Sequence, residues 1–295
     1  MKKLIRRFRG EQTIDPETFM IQSKLGRLGG YGMLLLMVAI IFVPLFIILN
    51  VSFKTQQEYM NSGVYSLAES FLNFDNYIKA FQTGNFGQAF KNTGFLLIIC
   101  VPVSLMIAAM VAYALGRFNF PGKKIMMLFF ILPTFIPGMT VAVATFTIIK
   151  MLGLYNTIWA GVILYIGTDI MTIYIFLQYV ENIPYSLDES AKLDGASRLR
   201  IFWSVILPQM RPAIATGAIL KVLGIYNDFF TPYLYMPDTE LKTVATALNS
   251  FAGDRMADWP LMSSAIIFVA LPTIIIFLLL QKEIIGGVTN GSVKG

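Results

Sequence analysis

The longest polar interval of the chain is Glu181–Pro212, ENIPYSLDESAKLDGASRLRIFWSVILPQMRP, and apolar runs long enough to cross a membrane lie on both sides of it. Ser186 and Glu189 have the spacing of a capping box, which predicts a helix that begins at Leu187. We expect Gly195 to end this helix about two turns later, because glycine adopts the left-handed conformation that closes a helix at little cost.

A second short helix is predicted directly after this glycine. Ser197 is suited to cap its first turn, and Pro208 is expected to end it. One face of this helix would carry Leu199, Phe202, Trp203 and Ile206. The interval 181–212 therefore predicts two short helices that meet at a sharp bend, called the elbow below. Its charged residues include Asp188, Glu189, Lys192, Asp194, Arg198 and Arg200.

The composition identifies the whole chain as a polytopic membrane protein. Of its 295 residues, 56% are hydrophobic and 14% are charged, and the mean hydropathy is +0.66, which a soluble domain does not reach. The formal net charge of +6 does not indicate nucleic acid, since the basic residues cluster beside apolar runs. A single cysteine, Cys100, and the absence of histidine exclude a disulfide framework, a cysteine metal cluster and imidazole catalysis.

Hydropathy predicts an all-α fold with six transmembrane helices. A helix needs roughly 20 apolar residues to cross about 30 Å of hydrocarbon, and six segments meet that length. We expect residues 1–27 to form a cytoplasmic tail and residues 28–295 to form one six-span domain, with no cleaved signal peptide. The predicted spans are Leu28–Val51, Thr93–Gly116, Ile125–Ile149, Ile158–Val180, Ala213–Phe230 and Leu261–Leu280. Pro133 and Pro137 should kink the third span.

Charge counts predict the orientation. The loops and tails on the elbow side hold sixteen Lys and Arg residues, against six on the other side. Positive charge concentrates on the cytoplasmic side of membrane proteins. Both termini and the elbow are therefore predicted to be cytoplasmic. The long segment on the other side, from Phe53 to Lys91, is predicted to form short surface helices.

The residues of the elbow resemble a known signature. Glu189, Ser190 and Ala191 are followed by Gly195 and then by Ile206, Leu207 and Pro208. This resembles the Glu-Ala-Ala-x-x-x-Gly motif, with its Ile-x-Leu-Pro-like end, of inner-membrane permease subunits of binding-protein-dependent ABC importers. Ser190 replaces the usual alanine. The resemblance implies that the elbow docks on an ATPase subunit through Glu189, Ser190, Ala191, Asp194, Gly195, Ile206, Leu207 and Pro208.

Other segments resemble the carbohydrate branch of the same family, the maltose-type second permease. They are Asn92-Thr93, the turn 116–123 (GRFNFPGK), the box 226–232 (YNDFFTP, with Tyr226 in place of tryptophan) and the glycine-rich end 286–295. The likeness extends from the second span to the end of the chain. It implies a sugar or oligosaccharide as the transported solute.

Three charged residues fall inside predicted spans, namely Asp169, Lys221 and Asp228. A charge at the bilayer centre costs at least about 2.5 to 3.5 kcal/mol on insertion scales, so each one needs a reason. One interpretation is that they line the solute path. The other is that an ion pair between Asp169 and Lys221 only holds two helices together, or that Lys221 extends to the membrane surface. For Asp228, near the outer end of its span, the alternative is an exposed carboxylate at a helix end. The candidate path residues are Tyr165, Thr168, Asp169, Lys221, Tyr226, Asn227 and Asp228.

Together these features predict a permease subunit that supplies half of a solute path and catalyses no reaction. The resemblance implies a second permease subunit, two ATPase subunits and an extracytoplasmic solute-binding protein as partners, in a bacterial-type inner membrane. The chain is expected to contact lipid and no nucleic acid. No phosphate-binding loop is found, so ATP and Mg²⁺ are expected on the ATPase subunits and no cofactor on this chain.

Two other classes of protein compete with this interpretation. A secondary transporter would use Asp169, Lys221 and Asp228 to relay ions. The six spans show no convincing internal repeat, and the longest polar segment lies outside the membrane, which disfavours that class. A membrane-embedded enzyme is disfavoured because the sequence offers no nucleophile–base pair or metal cluster.

Overall fold

The structure is a computed structural model that describes residues 24–167, 169–251 and 258–290, without the side chains of 24–27, 279–280 and 282–290. Within the described residues the chain is helical and contains no β-strand, which confirms the all-α prediction. The first helix, α1 (Lys24–Ser52), begins inside the predicted tail 1–27. The rest of that tail lies outside the described residues.

Two short helices follow α1 on the side opposite the elbow, as predicted. They are α2 (Gln56–Ser62) and α3 (Asp75–Thr83). Thr55 and Glu58 form a capping box at the start of α2, with the Glu58 amide donating to Thr55 Oγ1 at 3.1 Å. Phe53 lies among the rings of Phe71, Phe74 and Tyr77, at centroid distances of 5.7, 5.6 and 5.4 Å, and these contacts fix the segment to the end of α1.

The helix α4 (Phe86–Arg117) runs through the middle of the fold from one side to the other. Its 32 residues span about 48 Å at 1.5 Å per residue. It packs against α7 (Ile158–Ile166), α8 (Ile170–Asn182) and α12 (Arg211–Asn227). Leu96, Cys100, Leu105 and Phe176 belong to the core between these helices. The last long helix, α15 (Trp259–Asn290), follows the short helix α14 (Val244–Ala247) and packs on α1, α3 and α12.

The predicted third span is broken rather than kinked. The helix α5 (Lys123–Ile131) continues into a 3₁₀ turn, Leu132–Phe135, and α6 (Gly138–Met151) leaves this segment at 104°. Pro133 and Pro137 explain the break, because neither has an amide and they lie only four residues apart. The bend expected at these prolines is therefore confirmed in its position, but it is a complete break of 104° and not a kink within one helix.

The described residues contain fewer helices that could cross a membrane than the six predicted spans. Four helical segments of the described residues are long and apolar enough to cross a membrane, or five if the bent pair α5–α6 counts as one. The predicted fifth span corresponds to α12, whose 17 residues extend about 26 Å, slightly less than the hydrocarbon thickness of about 30 Å. The count of six stays a prediction.

Candidate coupling surface and transport pathway

The first helix of the elbow, α9 (Tyr185–Leu193), begins two residues earlier than predicted. Pro184 occupies the N-cap position with φ −57° and ψ 134°, and its carbonyl accepts from the Leu187 amide at 3.2 Å. Ser186 therefore lies inside the first turn and makes no cap hydrogen bond. The capping-box prediction is wrong, because the extended backbone of Pro184 already sets the helix start.

The predicted glycine stop is confirmed. Gly195 has φ +77°, and the amide of Ala196 donates to the carbonyl of Ala191 at 2.9 Å while the amide of Gly195 donates to that of Lys192 at 3.0 Å. These two bonds form a Schellman motif, which satisfies carbonyls at the end of α9. The chain then reverses direction directly into the second helix of the elbow.

The second helix of the elbow is longer than predicted. Ser197 caps α10 (Arg198–Ile201), accepting from the Arg200 amide at 3.3 Å, which confirms the second N-cap. A π turn, Phe202–Ile206, leads into α11 (Leu207–Gln209), which contains Pro208. Pro208 does not end the helix as predicted. Its missing amide is accommodated beside the π turn, and the helix ends at Gln209, one residue after the proline.

The predicted coupling residues lie mostly on the surface of the elbow. Glu189, Ser190, Asp194, Gly195 and Pro208 are exposed, Ala191 and Leu207 are half-buried, and Ile206 is buried. Three exposed apolar side chains of the elbow lie outside the predicted coupling set, namely Leu193, Leu199 and Trp203, which are 89%, 65% and 52% exposed. The last two were expected on the apolar face of the second helix. The apolar character of all three, next to Gly195 and along the second helix, is the sequence feature that could have indicated them as part of the coupling surface.

A buried ion pair attaches the elbow to α4. Arg117 Nη2 lies 3.1 Å from Asp188 Oδ2, and the two side chains are 2% and 4% exposed. Arg117 Nη2 also donates to the carbonyl of Ile183 at 2.8 Å, and the guanidinium lies 4.6 Å from the ring centroid of Tyr185. Asp188 was expected among the charges of the elbow and Arg117 belongs to the turn 116–123, but no sequence pattern pairs them.

The charges of the predicted fourth and fifth spans lie at a helix break. The fourth span consists of α7 and α8, and Asp169 caps α8 by accepting from the Thr172 amide at 2.8 Å. Lys221 of α12 donates to the carbonyl of Gly167 at 2.8 Å, just after α7. The alternative of an Asp169–Lys221 ion pair is not realised among the described residues, because each charge satisfies backbone groups at one side of the break.

The remaining candidate path residues divide into two groups. Tyr165 donates from its hydroxyl to Asp228 Oδ2 at 3.0 Å, and Asp228 Oδ1 accepts from the Thr231 amide at 3.1 Å. Tyr226 is buried on another side of α12 and donates to the carbonyl of Val269 in α15 at 3.1 Å. Asn227 is exposed. Thr168 lies outside the described residues.

A cavity of about 380 Å³ adjoins the box 226–232 on the side opposite the elbow. The short helix α13 (Phe230–Tyr235) and the segment after it form part of its wall. Aromatic and polar side chains line it together, a combination that suits a solute with apolar faces and hydroxyl groups. The lining side chains that the sequence analysis missed include Phe146, Tyr155, Tyr233, Lys242 and Asn249.

Comparisons with known proteins agree on one family. Residues 104–289 match the model of the binding-protein-dependent transport system inner membrane component. The chain is 33% identical over 259 residues to the maltodextrin transport system permease protein MalD of Streptococcus pneumoniae, covering 87% of this chain and 91% of that protein. It is 30% identical to the galactooligosaccharides transport system permease protein GanQ of Bacillus subtilis, covering 90% and 94%.

Two further matches concern sequence and fold. The trehalose transport system permease protein SugB of Mycobacterium tuberculosis is 32% identical over 78% of this chain and 85% of its own. A chain in the crystal structure of a bacterial ABC transporter involved in the import of the acidic polysaccharide alginate superposes with a TM-score of 0.78, at 21% identity, covering 88% of this chain and 98% of that one. The latter likeness shows the fold.

Proposed function

The chain belongs to the family of binding-protein-dependent transport system inner membrane components, and from this premise we propose that it forms half of the solute path of an ATP-driven importer. The observation that supports this function most directly is the elbow. Its signature residues lie on an exposed surface at one end of the fold, while a buried ion pair fixes that surface to a helix that runs to the other end.

The proposed mechanism is alternating access. ATP closes two partner ATPase subunits, the elbow moves with them, and the helices attached to it open the path toward the outside. ATP and the solute-loaded binding protein can shift this equilibrium only if each favours the outward-open state. ATP and Mg²⁺ are bound by the ATPase subunits in this proposal, and a second permease chain supplies the other half of the path.

The proposed solute is a sugar or an oligosaccharide. Relatives named for maltodextrin, galactooligosaccharide and trehalose transport support this class. The cavity beside the box 226–232 supports it physically, since Tyr155 and Tyr233 offer ring faces while Lys242 and Asn249 offer hydrogen bonds. The Tyr165–Asp228 hydrogen bond lies at the same box, outside the wall of this cavity.

The energy source of transport tests the proposal. The chain is purified with its co-isolating subunits, reconstituted in proteoliposomes and supplied with its binding protein. Uptake of radiolabelled maltotriose, raffinose, diacetylchitobiose and trehalose is measured with and without ATP–Mg²⁺ on the cytoplasmic face. We expect uptake of at least one sugar that requires ATP and continues when ionophores abolish ion gradients.

The matched control is the same chain reconstituted without the ATPase subunits. Uptake by this chain alone, driven by a proton or sodium gradient and insensitive to ATP, would contradict the proposal. That result would favour a secondary transporter that uses Asp169, Lys221 and Asp228.

A further inference from the structure

The elbow is joined covalently to only two of the long helices. The chain enters it from α8 through Ile183 and leaves it into α12 after Met210. The central helix α4 is not adjacent to the elbow in sequence, because residues 118–184 separate them. A displacement of the elbow therefore pulls α8 and α12 directly but reaches α4 only through non-covalent contacts.

The direct contacts between the elbow and α4, as distinct from the packing of α4 on α8 and α12, are concentrated at the end of α4. Besides the Arg117–Asp188 ion pair, the Tyr185 hydroxyl donates to the carbonyl of Arg117 at 2.6 Å. On the second helix of the elbow, the carbonyl of Arg198 accepts from the Tyr113 hydroxyl at 3.2 Å, and the Arg198 guanidinium lies 5.1 Å from the Phe118 ring centroid. Both helices of the elbow are thus attached to α4.

The ion pair is suited to transmit movement. Arg117–Asp188 is the only ion pair between residues that the structure describes, and both side chains are almost fully buried. Buried charges are screened little by salt, and pulling them apart leaves each one without compensation. The pair therefore resists separation of the elbow from α4 more strongly than an exposed pair would.

The other end of α4 holds a segment beside the cavity. Asn92 donates from its side chain to the carbonyls of Glu240 and Lys242 at 2.8 and 2.9 Å, and Thr93 Oγ1 accepts from the Val244 amide at 3.0 Å. Lys242 lines the cavity. One helix therefore connects the elbow with the wall of the cavity, over about 38 Å between Asn92 and Arg117.

We propose that Arg117 and Asp188 are the residues that transmit the displacement of the elbow to α4 and through it to the segment 240–244. This proposal rests on the proposed function and adds a route of transmission to it. The residues act by positioning, since neither contacts the cavity. If the joint is broken, the ATPase subunits still bind the elbow and hydrolyse ATP, but α4 no longer follows the elbow.

The test measures the number of ATP molecules hydrolysed per sugar imported, in the reconstituted complex with the sugar of the panel above that the wild type transports. We expect Asp188→Asn and Arg117→Gln to raise this ratio about ten-fold, as uptake falls while hydrolysis persists. A merely structural role would lower the amount of assembled complex and leave the ratio unchanged. Glu181→Gln, which neutralises an exposed carboxylate near the elbow, is the matched control and should keep the wild-type ratio.

A second variant keeps the test decisive if the charge variants fail to assemble. Tyr113→Phe combined with Tyr185→Phe removes two hydrogen bonds of the joint and leaves the charges paired. It should raise the ratio by a smaller factor. A wild-type ratio in every joint variant that assembles overturns the inference, whereas a wild-type complex without ATP-dependent uptake overturns the proposed function and the inference with it.

Discussion

At the scale of single residues, the elbow depends on one backbone conformation. Gly195 has φ +77°, and a Cβ atom built there would meet no heavy atom within 4 Å. A Cβ atom at position 195 therefore costs free energy through backbone strain and not through a clash with neighbouring atoms. For ordinary L-residues this strain is about 1–2 kcal/mol, and it is smaller for asparagine, which tolerates the left-handed region.

This reasoning predicts a graded effect of substitutions at Gly195. Uptake per assembled complex should decrease in the order wild type, Gly195→Asn, Gly195→Val, while the amount of chain inserted in the membrane stays the same. Uptake and immunoblots on the same vesicles measure both quantities. Equal uptake by the Asn and Val variants would show that the left-handed turn is not what shapes the elbow.

A second glycine is required for a steric reason. A Cβ atom at Gly217 would lie 2.9 Å from Cε1 of the buried Phe176, whereas one at Gly224, two turns later on the same helix, would meet nothing within 4 Å. We predict that Gly217→Ala destabilises the assembled protein by about 1–3 kcal/mol, as overpacking does, and that the matched Gly224→Ala does not. Thermal unfolding in detergent measures the difference. A larger loss for Gly224→Ala would contradict the packing of α12 against α8.

At the scale of elements, the break between α7 and α8 explains two of the charges inside the spans. Asp169 satisfies the start of α8, and asparagine is nearly as good an N-cap as aspartate. If capping is its main role, Asp169→Asn should transport almost normally and Asp169→Ala should not. Lys221→Met removes the donor to Gly167 and should also reduce uptake.

If Asp169→Asn and Lys221→Met both insert, assemble and transport normally, the charges at positions 169 and 221 are not needed for transport. Uptake and subunit abundance must be measured on the same preparation. Asp169→Ala is the control, because it removes the side-chain hydrogen bond that caps α8 together with the charge.

The attachment of α4 to the segment 240–244 gives another prediction at this scale. Asn92→Asp replaces an amide donor by a carboxylate that faces two carbonyl oxygens, so it should release the segment, whereas Asn92→His keeps a donor. Limited proteolysis from the side opposite the elbow should cleave the Asp variant faster. Equal cleavage of both variants and the wild type would show that Asn92 does not hold the segment.

At the scale of the whole molecule, the orientation in the membrane remains to be tested. Tyr65 and Leu193 lie on opposite sides of the fold and are 88% and 89% exposed, so they form a matched pair of labelling positions. In a Cys100→Ala background, we predict that Tyr65→Cys reacts with a membrane-impermeant maleimide in intact spheroplasts and that Leu193→Cys reacts only after permeabilisation. The reverse pattern would place the elbow outside and exclude contact with a cytoplasmic ATPase.

Four features could be predicted from the sequence alone: the all-α membrane class, the family, the glycine turn of the elbow and the Ser197 cap. They depend on hydropathy, on local backbone preferences and on the order and spacing of short motifs, all of which can be read along the chain. The charges inside the spans were also visible in the sequence, because a charged residue within an apolar run can be recognised without knowing its partners.

The contacts between residues that are distant in sequence could be read only from the folded structure. Arg117 and Asp188 are 71 positions apart, and Asn92 and Glu240 are 148 apart. Nothing in local propensity links such pairs, because their contact depends on how α4 packs between α7, α8 and α12. The start of α9 directly after Pro184 was likewise decided by the backbone, because the extended conformation of Pro184 took the place of the predicted Ser186 cap. The helix continues past Pro208 because the π turn before it accommodates the missing amide.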